Sequence, residues 1–470
     1  MPRRSANRIF GLALIGLLLF TGVAGSAGDG KNDHDSAALD QWDNQRSLTV
    51  DGGSYRIPPS RFLTSPGTPL LTGGDARGYA EGAVRLRPGE SFTAEVDLPA
   101  EGRYVLSFDY FLLSEGLQPA EYSVEVNGEF PFPEARRVVL PPLWKSGTGD
   151  FPRDRYGNEV MPAPERADEW QTASIYDSRR MSPEPLQVHL RQGKNTIKVT
   201  LLAGEVLGGS LELAPPAVLP TYAQYAAQYA DAPRAGQALI VREAEKPDLK
   251  NDTTINPIPS RDLEAVPYDT NALLLNALGG KTWDLSGQAV YYDITVERAG
   301  LYLLAVKYKQ PDKPNARVFR TFTIDGQVPF REARNYPFSF TNEWKTEILH
   351  GEEGPYLFYL SEGRHRLGIM ADASPFHEAT RLLQDAIRQV NDLSLDIRKL
   401  VGNDVDRYRE WEITDYLPTI RDDLLGIAQA LREEYAKVLE RNGGLRSAKG
   451  LMHMQMAIDT LEKLAADPNR

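Results

Sequence analysis

Residues 96–110 read Val-Asp-Leu-Pro-Ala-Glu-Gly-Arg-Tyr-Val-Leu-Ser-Phe-Asp-Tyr. Residues 294–308 read Ile-Thr-Val-Glu-Arg-Ala-Gly-Leu-Tyr-Leu-Leu-Ala-Val-Lys-Tyr, the same line at an offset of 198. At that offset Gly128 meets Gly326, and Pro131-Phe132-Pro133-Glu134-Ala135-Arg136 meets Pro329-Phe330-Arg331-Glu332-Ala333-Arg334. Trp144-Lys145 answers Trp344-Lys345, and Leu190-Arg191-Gln192-Gly193-Lys194 answers Leu360-Ser361-Glu362-Gly363-Arg364 at an offset of 170. Long-period self-similarity of this kind makes the unit of folding the repeat rather than the chain. The first copy then carries its extra residues between its Trp-Lys and its last strands, and we expect a duplicated domain.

Each copy has the grammar of β-structure. Tyr104, Leu106, Phe108 and Tyr110 alternate with polar or small residues, as do Tyr302, Leu304, Val306 and Tyr308, the period of a strand with one buried face. Asn127-Gly128 and Asp325-Gly326 follow apolar runs and tolerate the positive φ of a tight turn. Further hairpins are expected across Gln192-Gly193-Lys194 and Glu362-Gly363-Arg364. Ser47–Asp51 and Ala238–Glu245 read as the opening strands of the two copies. Many short strands with glycine turns and no intervening helix predict a mainly β protein of two tandem jelly-roll, galactose-binding-like sandwiches.

The boundaries follow. Residues 46–216 form the first sandwich with a long insert at 145–184, residues 217–236 a linker helix, and residues 237–374 the second sandwich. Tyr222, Tyr225 and Tyr229 in the linker have helical spacing and are expected to pack rather than to bind. Residues 375–470 form a three-helix segment. Pro375 sits at its first helical position, Thr414 caps its second helix with Pro418 inside the first turn, and Asn442-Gly443-Gly444 stops that helix before a third begins at Ser447.

Ahead of the sandwiches, Arg3, Arg4 and Arg8 precede an apolar run from Ile9 to Ala24 and small residues at 25–28. This predicts a Sec-type signal peptide over 1–27, cleaved after Ala27, and an extracellular or cell-surface protein. The run, about 16 residues, is shorter than the ~20 that span a bilayer, so membrane attachment would come only through an uncleaved signal. Residues 28–45 read as a flexible tether. The chain has no cysteine and a net charge of −12. That excludes disulfides, thiol nucleophiles and Cys-bound zinc, and disfavours a nucleic-acid partner.

Enzyme signatures are absent: the sequence has no Gly-x-Ser-x-Gly, P-loop, His-Glu-x-x-His or dinucleotide fingerprint. Paired carboxylates leave no local mark, so a polysaccharide-active enzyme stays as an alternative. No catalytic residue, cofactor or metal site is assigned. Glu243-Ala244-Glu245 resembles the opening of some calcium-bearing carbohydrate-binding sandwiches, which leaves a structural calcium open. The insert mixes aromatic and planar polar residues, a combination that suits sugars, whose C–H faces stack on rings while hydroxyls take hydrogen bonds. The candidate carbohydrate-binding residues are Trp144, Tyr156, Trp170, Tyr176, Arg155, Asn158 and Trp344; the competing reading is a loop anchored by its own aromatics.

The segments Gly-x-x-Pro-Phe-x-Glu-Ala-Arg…Trp-Lys (128–145 and 326–345), Asp154-Arg155-Tyr156-Gly157-Asn158-Glu159 and Leu360-Ser361-Glu362-Gly363-Arg364-His365 carry a resemblance. So do the helical stretches Asn391–Ser394 and Asp406–Trp411. Over residues 46–466 the chain resembles the N-terminal half of long extracellular solute-binding proteins of carbohydrate ABC transporters from Gram-positive bacteria, in which tandem sandwiches and a helical segment precede a two-lobed solute-binding module. The resemblance implies a non-catalytic accessory protein whose partners are a carbohydrate or polysaccharide and a solute-binding module or ABC permease. No counterpart of the transported-solute contacts lies in this sequence. The alternative is a structural spacer for such a module, without affinity for glycans.

Overall fold

The computed structural model describes residues 53–469 except 115, 146–148, 179, 183, 237 and 403–410. The signal, the tether, the Ser47–Asp51 strand and most of Asp406–Trp411 lie outside the described residues.

Alternation of apolar and polar residues builds the first sandwich. Its strands are β1 (Tyr55–Ile57), β2 (Leu63–Thr64), β3 (Leu70–Leu71), β4 (Ala83–Leu86), β5 (Ser91–Leu98), β6 (Gly102–Leu112) and β7 (Ala120–Val126). Then follow β8 (Val138–Leu140), β9 (Trp144–Lys145), β10 (Glu165–Arg166), β11 (Gln171–Ser174), β12 (Gln187–Leu190), β13 (Gly193–Ala203) and β14 (Val206–Ala214). One sheet runs β11-β6-β14-β4-β3, with β1 on β14 and β12 on β6; the other runs β2-β5-β13-β7-β8. Phe92, Tyr104, Leu106, Phe108, Tyr110, Tyr122, Ile197, Val199 and Leu211 are buried between them, so the period-2 residues of β6 face the core as expected. Asn127 and Gly128 both have positive φ, 53° and 86°, as a tight turn with two left-handed residues requires.

The second sandwich has β15 (Leu249–Lys250), the hairpin β16 (Pro257–Ile258) with β17 (Ala277–Leu278), β18 (Ala289–Val296), β19 (Gly300–Leu303), β20 (Ala305–Gln310) and β21 (Val318–Ile324). It continues through β22 (Tyr336–Phe338), β23 (Thr341–Ile348), β24 (His350–Gly351), β25 (Gly354–Pro355), β26 (Leu357–Leu360) and β27 (Gly363–Ala371). Its main sheet runs β10-β9-β15-β18-β27-β21-β22. The order β15-β18-β27-β21-β22 matches β2-β5-β13-β7-β8 of the first sandwich strand for strand. Opposite it stand the pairs β19–β26 and β20–β23.

Four expectations need correction. First, β9 and β10 come from the insert of the first sandwich yet extend the sheet of the second: Lys145 pairs with Leu249 and Trp144 with Lys250. The tryptophan that stands where Trp344 stands is Trp170, because Gln171 pairs with Tyr110 as Lys345 pairs with Tyr308. The match of Trp144-Lys145 to Trp344-Lys345 was therefore local, and the first copy's extra chain lies mostly before Trp170. Second, the stretches across residues 191–194 and 361–364 are arches, not hairpins: β12 pairs with β6 and β26 with β19, whereas β13 and β27 belong to the facing sheets. Alternation reports a buried face but not the neighbouring strand. Third, Ala238–Glu245 forms no strand; the β18 edge is already taken by β15, which β9 and β10 extend, and Leu239 is 84% exposed. Fourth, Pro418 does not sit within a helical turn. A residue before proline is pushed out of the α region, so helix ends near Tyr416 and restarts at Ile420.

The helices are α1 (Tyr222–Gln228), α2 (His377–Val401), the single turn α3 (Ile413–Tyr416), α4 (Ile420–Arg441) and α5 (Lys449–Ala466). Thr221 and Gln224 form a capping box on α1. The Tyr222 and Tyr225 hydroxyls accept the Leu357 and Tyr359 amides at 2.9 Å each, and Tyr229 stacks on Tyr359 at 4.5 Å. The linker tyrosines thus pack on β26. Leu383, Leu424, Ile427, Leu431, Met454, Ile458 and Leu461 fill the helical core. Asn442 ties it to the second sandwich, accepting from the Arg317 amide at 2.9 Å and donating to the Asn315 carbonyl at 2.9 Å.

The two sandwiches differ in closure. After β27 the chain enters α2, so no described strand takes the place of β14 beside β20. Leu106, Phe108, Tyr110, Ile197 and Val199 are buried; their register counterparts Leu304, Val306, Tyr308, Leu367 and Ile369 are only half-buried.

Candidate functional site

Because β6 sends Tyr104, Phe108 and Tyr110 inward, Ser107, Asp109 and Phe111 face the other way, onto the outer side of the sheet. There β14 contributes Gly209 as a floor, while a Cβ on Gly208 would point the other way, into the core against Phe108 and Val84. A Cβ on Gly209 would stand 2.9 Å from the Tyr79 ring and 3.0 Å from that of Trp170, so the rings settle there only over glycine. Tyr79 and Trp170 lie 4.2 Å apart at 37°, with Phe111 5.9 Å from Trp170. Trp170 is half-buried and its indole N–H, shielded from solvent, has no hydrogen-bond partner among the described residues.

Beside the rings lies a dense polar cluster. Arg56 on β1 donates to Glu81 at 2.9 Å, to the Tyr79 hydroxyl at 2.7 Å and to Asp109 at 3.0 Å, and stands 3.7 Å from Glu212. Tyr79 donates to Asp109 at 2.5 Å, and Thr172 to the other oxygen of Asp109 at 2.6 Å. Glu81 is held below the usual carboxylate range, first by the Ser210 hydroxyl and then by Arg56. Burial, followed by the bond to Asp109, raises the Tyr79 phenol. One guanidinium faces three carboxylates. The face therefore offers an excess of hydrogen-bond acceptors next to aromatic surface, built from strand residues and from the segments before β4 and β11.

Of the residues singled out from sequence, only Trp170 lies on this face. Trp144 is 4% exposed within β9, where it lies at the junction of the sandwiches rather than on this face. Tyr156 is 68% exposed, with the Arg155 guanidinium 4.6 Å from its ring centre, but its loop is a docking element. Asp154 accepts the amides of Tyr156 and Asn158, Asn158 accepts the Leu273 amide at 2.9 Å, and Glu159 accepts the Leu275 amide at 2.8 Å. Tyr176 lies under Arg180 at 3.8 Å. Arg180 in turn receives the Ser286 hydroxyl on its carbonyl, which places this stack at the contact with the second sandwich. Trp344 repeats the position of Trp170, again with a shielded indole N–H that has no partner among the described residues.

Sequence reasoning missed Arg56, Tyr79, Glu81, Asp109, Thr172 and Glu212. Two signals pointed to them: an acid at the outward phase of β6, and Gly208-Gly209 inside a strand, which marks close approach of other groups. The two acids of the Glu243-Ala244-Glu245 stretch part in the structure. Glu245 is 3% exposed while Glu243 is exposed. The described residues gather no group of three His, Cys, Asp or Glu that could hold a metal, and Ca²⁺ takes six to eight oxygens. Burial raises the Glu245 carboxyl above its ordinary range.

Residues 378–470 match the family model described as the bacterial solute-binding protein, 4-helix bundle domain. Among the described residues of that span are three long helices and one isolated turn. No curated protein matches. Among solved structures, the family 35 carbohydrate-binding module from Clostridium thermocellum is 17% identical, over 34% of this chain and 97% of that one, with a TM-score of 0.22. The CBM35 of Cellvibrio japonicus Abf62 is 16% identical over 35% and 95%, with a TM-score of 0.22. A GH26-CBM35 β-(1,4)-mannanase of Podospora anserina is 18% identical over 36% of this chain and 29% of the mannanase, with a TM-score of 0.24.

Proposed function

We propose that the protein is an exported, non-catalytic carbohydrate-binding accessory of a solute-uptake system. The outer face of the first sandwich would engage the glycan, and the helices would join the sandwiches to a solute-binding module or ABC permease. The Tyr79–Trp170 pair over Gly209, flanked by Asp109, Glu81 and Glu212, carries the reading. A sugar ring stacks its C–H face on an indole while its hydroxyls donate to carboxylates. Trp344, at the equivalent place on the second sandwich, is the candidate for a second contact. The match of residues 378–470 to a solute-binding protein bundle supports the link to uptake. Export rests on the N-terminal basic and apolar pattern, and no helix among the described residues is long and apolar enough to cross a membrane. The test is affinity electrophoresis against a panel of soluble polysaccharides: at least one should retard the protein, and Trp170→Ala should abolish the retardation.

A second reading has its own observation. Strands β9 and β10 stitch the first sandwich into the sheet of the second, and Arg366 bridges Glu169 at 2.8 Å, which suits a stiff spacer. It predicts co-purification with a transport component and no retardation by any glycan.

A further inference from the structure

The outer faces of the two sandwiches share one scaffold and carry opposite charge. At the repeat offset of 198, the outward residues Asp109 and Phe111 of β6 become Lys307 and Lys309 of β20. The ladders fix the match: Thr172 pairs with Asp109 as Thr346 pairs with Lys307. Leu304, Val306 and Tyr308 pack on the core of the second sandwich, so Lys307 and Lys309 project to the opposite side, the side that Trp344 takes on β23.

The loop between β16 and β17 sets the position of both lysines. Lys307 Nζ donates to the Glu264 carbonyl, a neutral acceptor that orients the ammonium group without cancelling its charge and leaves it further N–H groups to donate. Lys309 Nζ donates to Asp262 at 2.9 Å, and the two side chains remain 27% and 29% exposed. Arg261 and Glu264, both exposed in the same loop, add one charge of each sign.

On the first face one guanidinium stands against three carboxylates; here two ammonium groups stand beside one carboxylate. Carboxylates accept hydrogen bonds, which suits sugar hydroxyls. An ammonium group only donates, and its strongest partner is an anionic oxygen, through a charge-assisted bond. Trp344 is half-buried and offers ring surface on the same side. An aromatic plane with two cations matches a sugar ring that carries a carboxylate or a sulfate.

We propose that Trp344, Lys307 and Lys309 form a second binding site, for an anionic sugar, on the outer face of the second sandwich. The proposal rests on the reading of the protein as a carbohydrate binder and deepens it: the two faces sort glycans by charge, so that neutral chains report on Trp170 and anionic chains on Trp344. The whole chain carries −12, so its overall field repels a polyanion and a local basic site is needed to retain one.

Titration calorimetry of the whole protein with polygalacturonate, which bears carboxylates, and with dextran sulfate tests this, with dextran as the neutral counterpart. At least one polyanion should bind saturably in about 50 mM NaCl, and which one does so separates carboxylate from sulfate recognition. Lys307→Gln/Lys309→Gln should weaken that binding at least about tenfold with the circular dichroism spectrum retained, and Trp344→Ala should weaken it too. Lys194→Gln/Lys198→Gln, which removes the same charge from β13 of the first sandwich, should keep it. Binding that survives in the Lys307→Gln/Lys309→Gln variant, or an equal loss in both lysine variants, overturns the inference, since edge lysines then serve solubility alone. Retardation by a neutral polysaccharide with no binding of either polyanion also overturns it and leaves the carbohydrate-binding reading standing; no binding of any glycan ends both.

Discussion

Replacing Trp144 by alanine separates two roles that this residue could hold, ligand contact and structural pin. The indole is almost wholly enclosed where β9 lies between β10 and β15. A tryptophan buries about 150–250 Å², which at ~25 cal/mol per Å² gives an upper bound of about 4–6 kcal/mol. Large-to-small replacements of aromatic core residues cost about 3–5 kcal/mol. We expect a loss in that range in urea unfolding followed by circular dichroism, with faster exchange of the β15 and β18 amides, since the edge that β9 covers is freed. Glycan retardation of the folded variant should not change. A loss under about 1 kcal/mol, or lost retardation without destabilisation, would refute the assignment of Trp144 to the junction.

Three further outcomes are expected. Gly209→Ala forces a methyl against the Tyr79 and Trp170 rings; overpacking of this kind costs about 1–3 kcal/mol, and glycan retardation should weaken with it. Glu245→Gln should stabilise the protein at neutral pH: burial raises this carboxyl in the folded state, so its ionisation above the ordinary carboxylate range costs stability that the amide does not lose. The variant's advantage in Tm should therefore grow from pH 4 to pH 7.5, and an advantage constant with pH would contradict the argument. In native-state hydrogen exchange, β20 and β27 should be less protected than β6 and β13, because no described strand closes the second sandwich as β14 closes the first; equal protection would show that the half-buried Leu304, Val306 and Ile369 are shielded in solution.

Alternation in Tyr104–Tyr110 and Tyr302–Tyr308, the Asn-Gly and Asp-Gly turns and the apolar faces of α2, α4 and α5 were legible because each is a local pattern with a fixed period. Strand neighbours were not. Residues 186–201 alternate in the same way whether their two strands pair with each other or cross between sheets, and the structure crosses them. The exchange of β9 and β10 was hidden for a similar reason. Two-residue strands carry no periodicity, and the partner of Trp144-Lys145 is Leu249-Lys250, about 100 residues away in sequence. A chance Trp-Lys match then drew attention from Trp170, whose equivalence with Trp344 rests on the ladders to Tyr110 and Tyr308. The candidate face was half legible. An aromatic insert pointed to Trp170, but Arg56, Tyr79 and Asp109 come from three separate strands and loops that only folding brings together.

The carbohydrate-binding face is tested most directly by titrating the polysaccharide that retards the protein most strongly into wild type and Trp170→Ala, with heat as the readout and circular dichroism as the check on folding. The account predicts saturable heat for wild type and at least a tenfold weaker association, about 1.4 kcal/mol, for the folded variant. Equal affinity of the two proteins would contradict it.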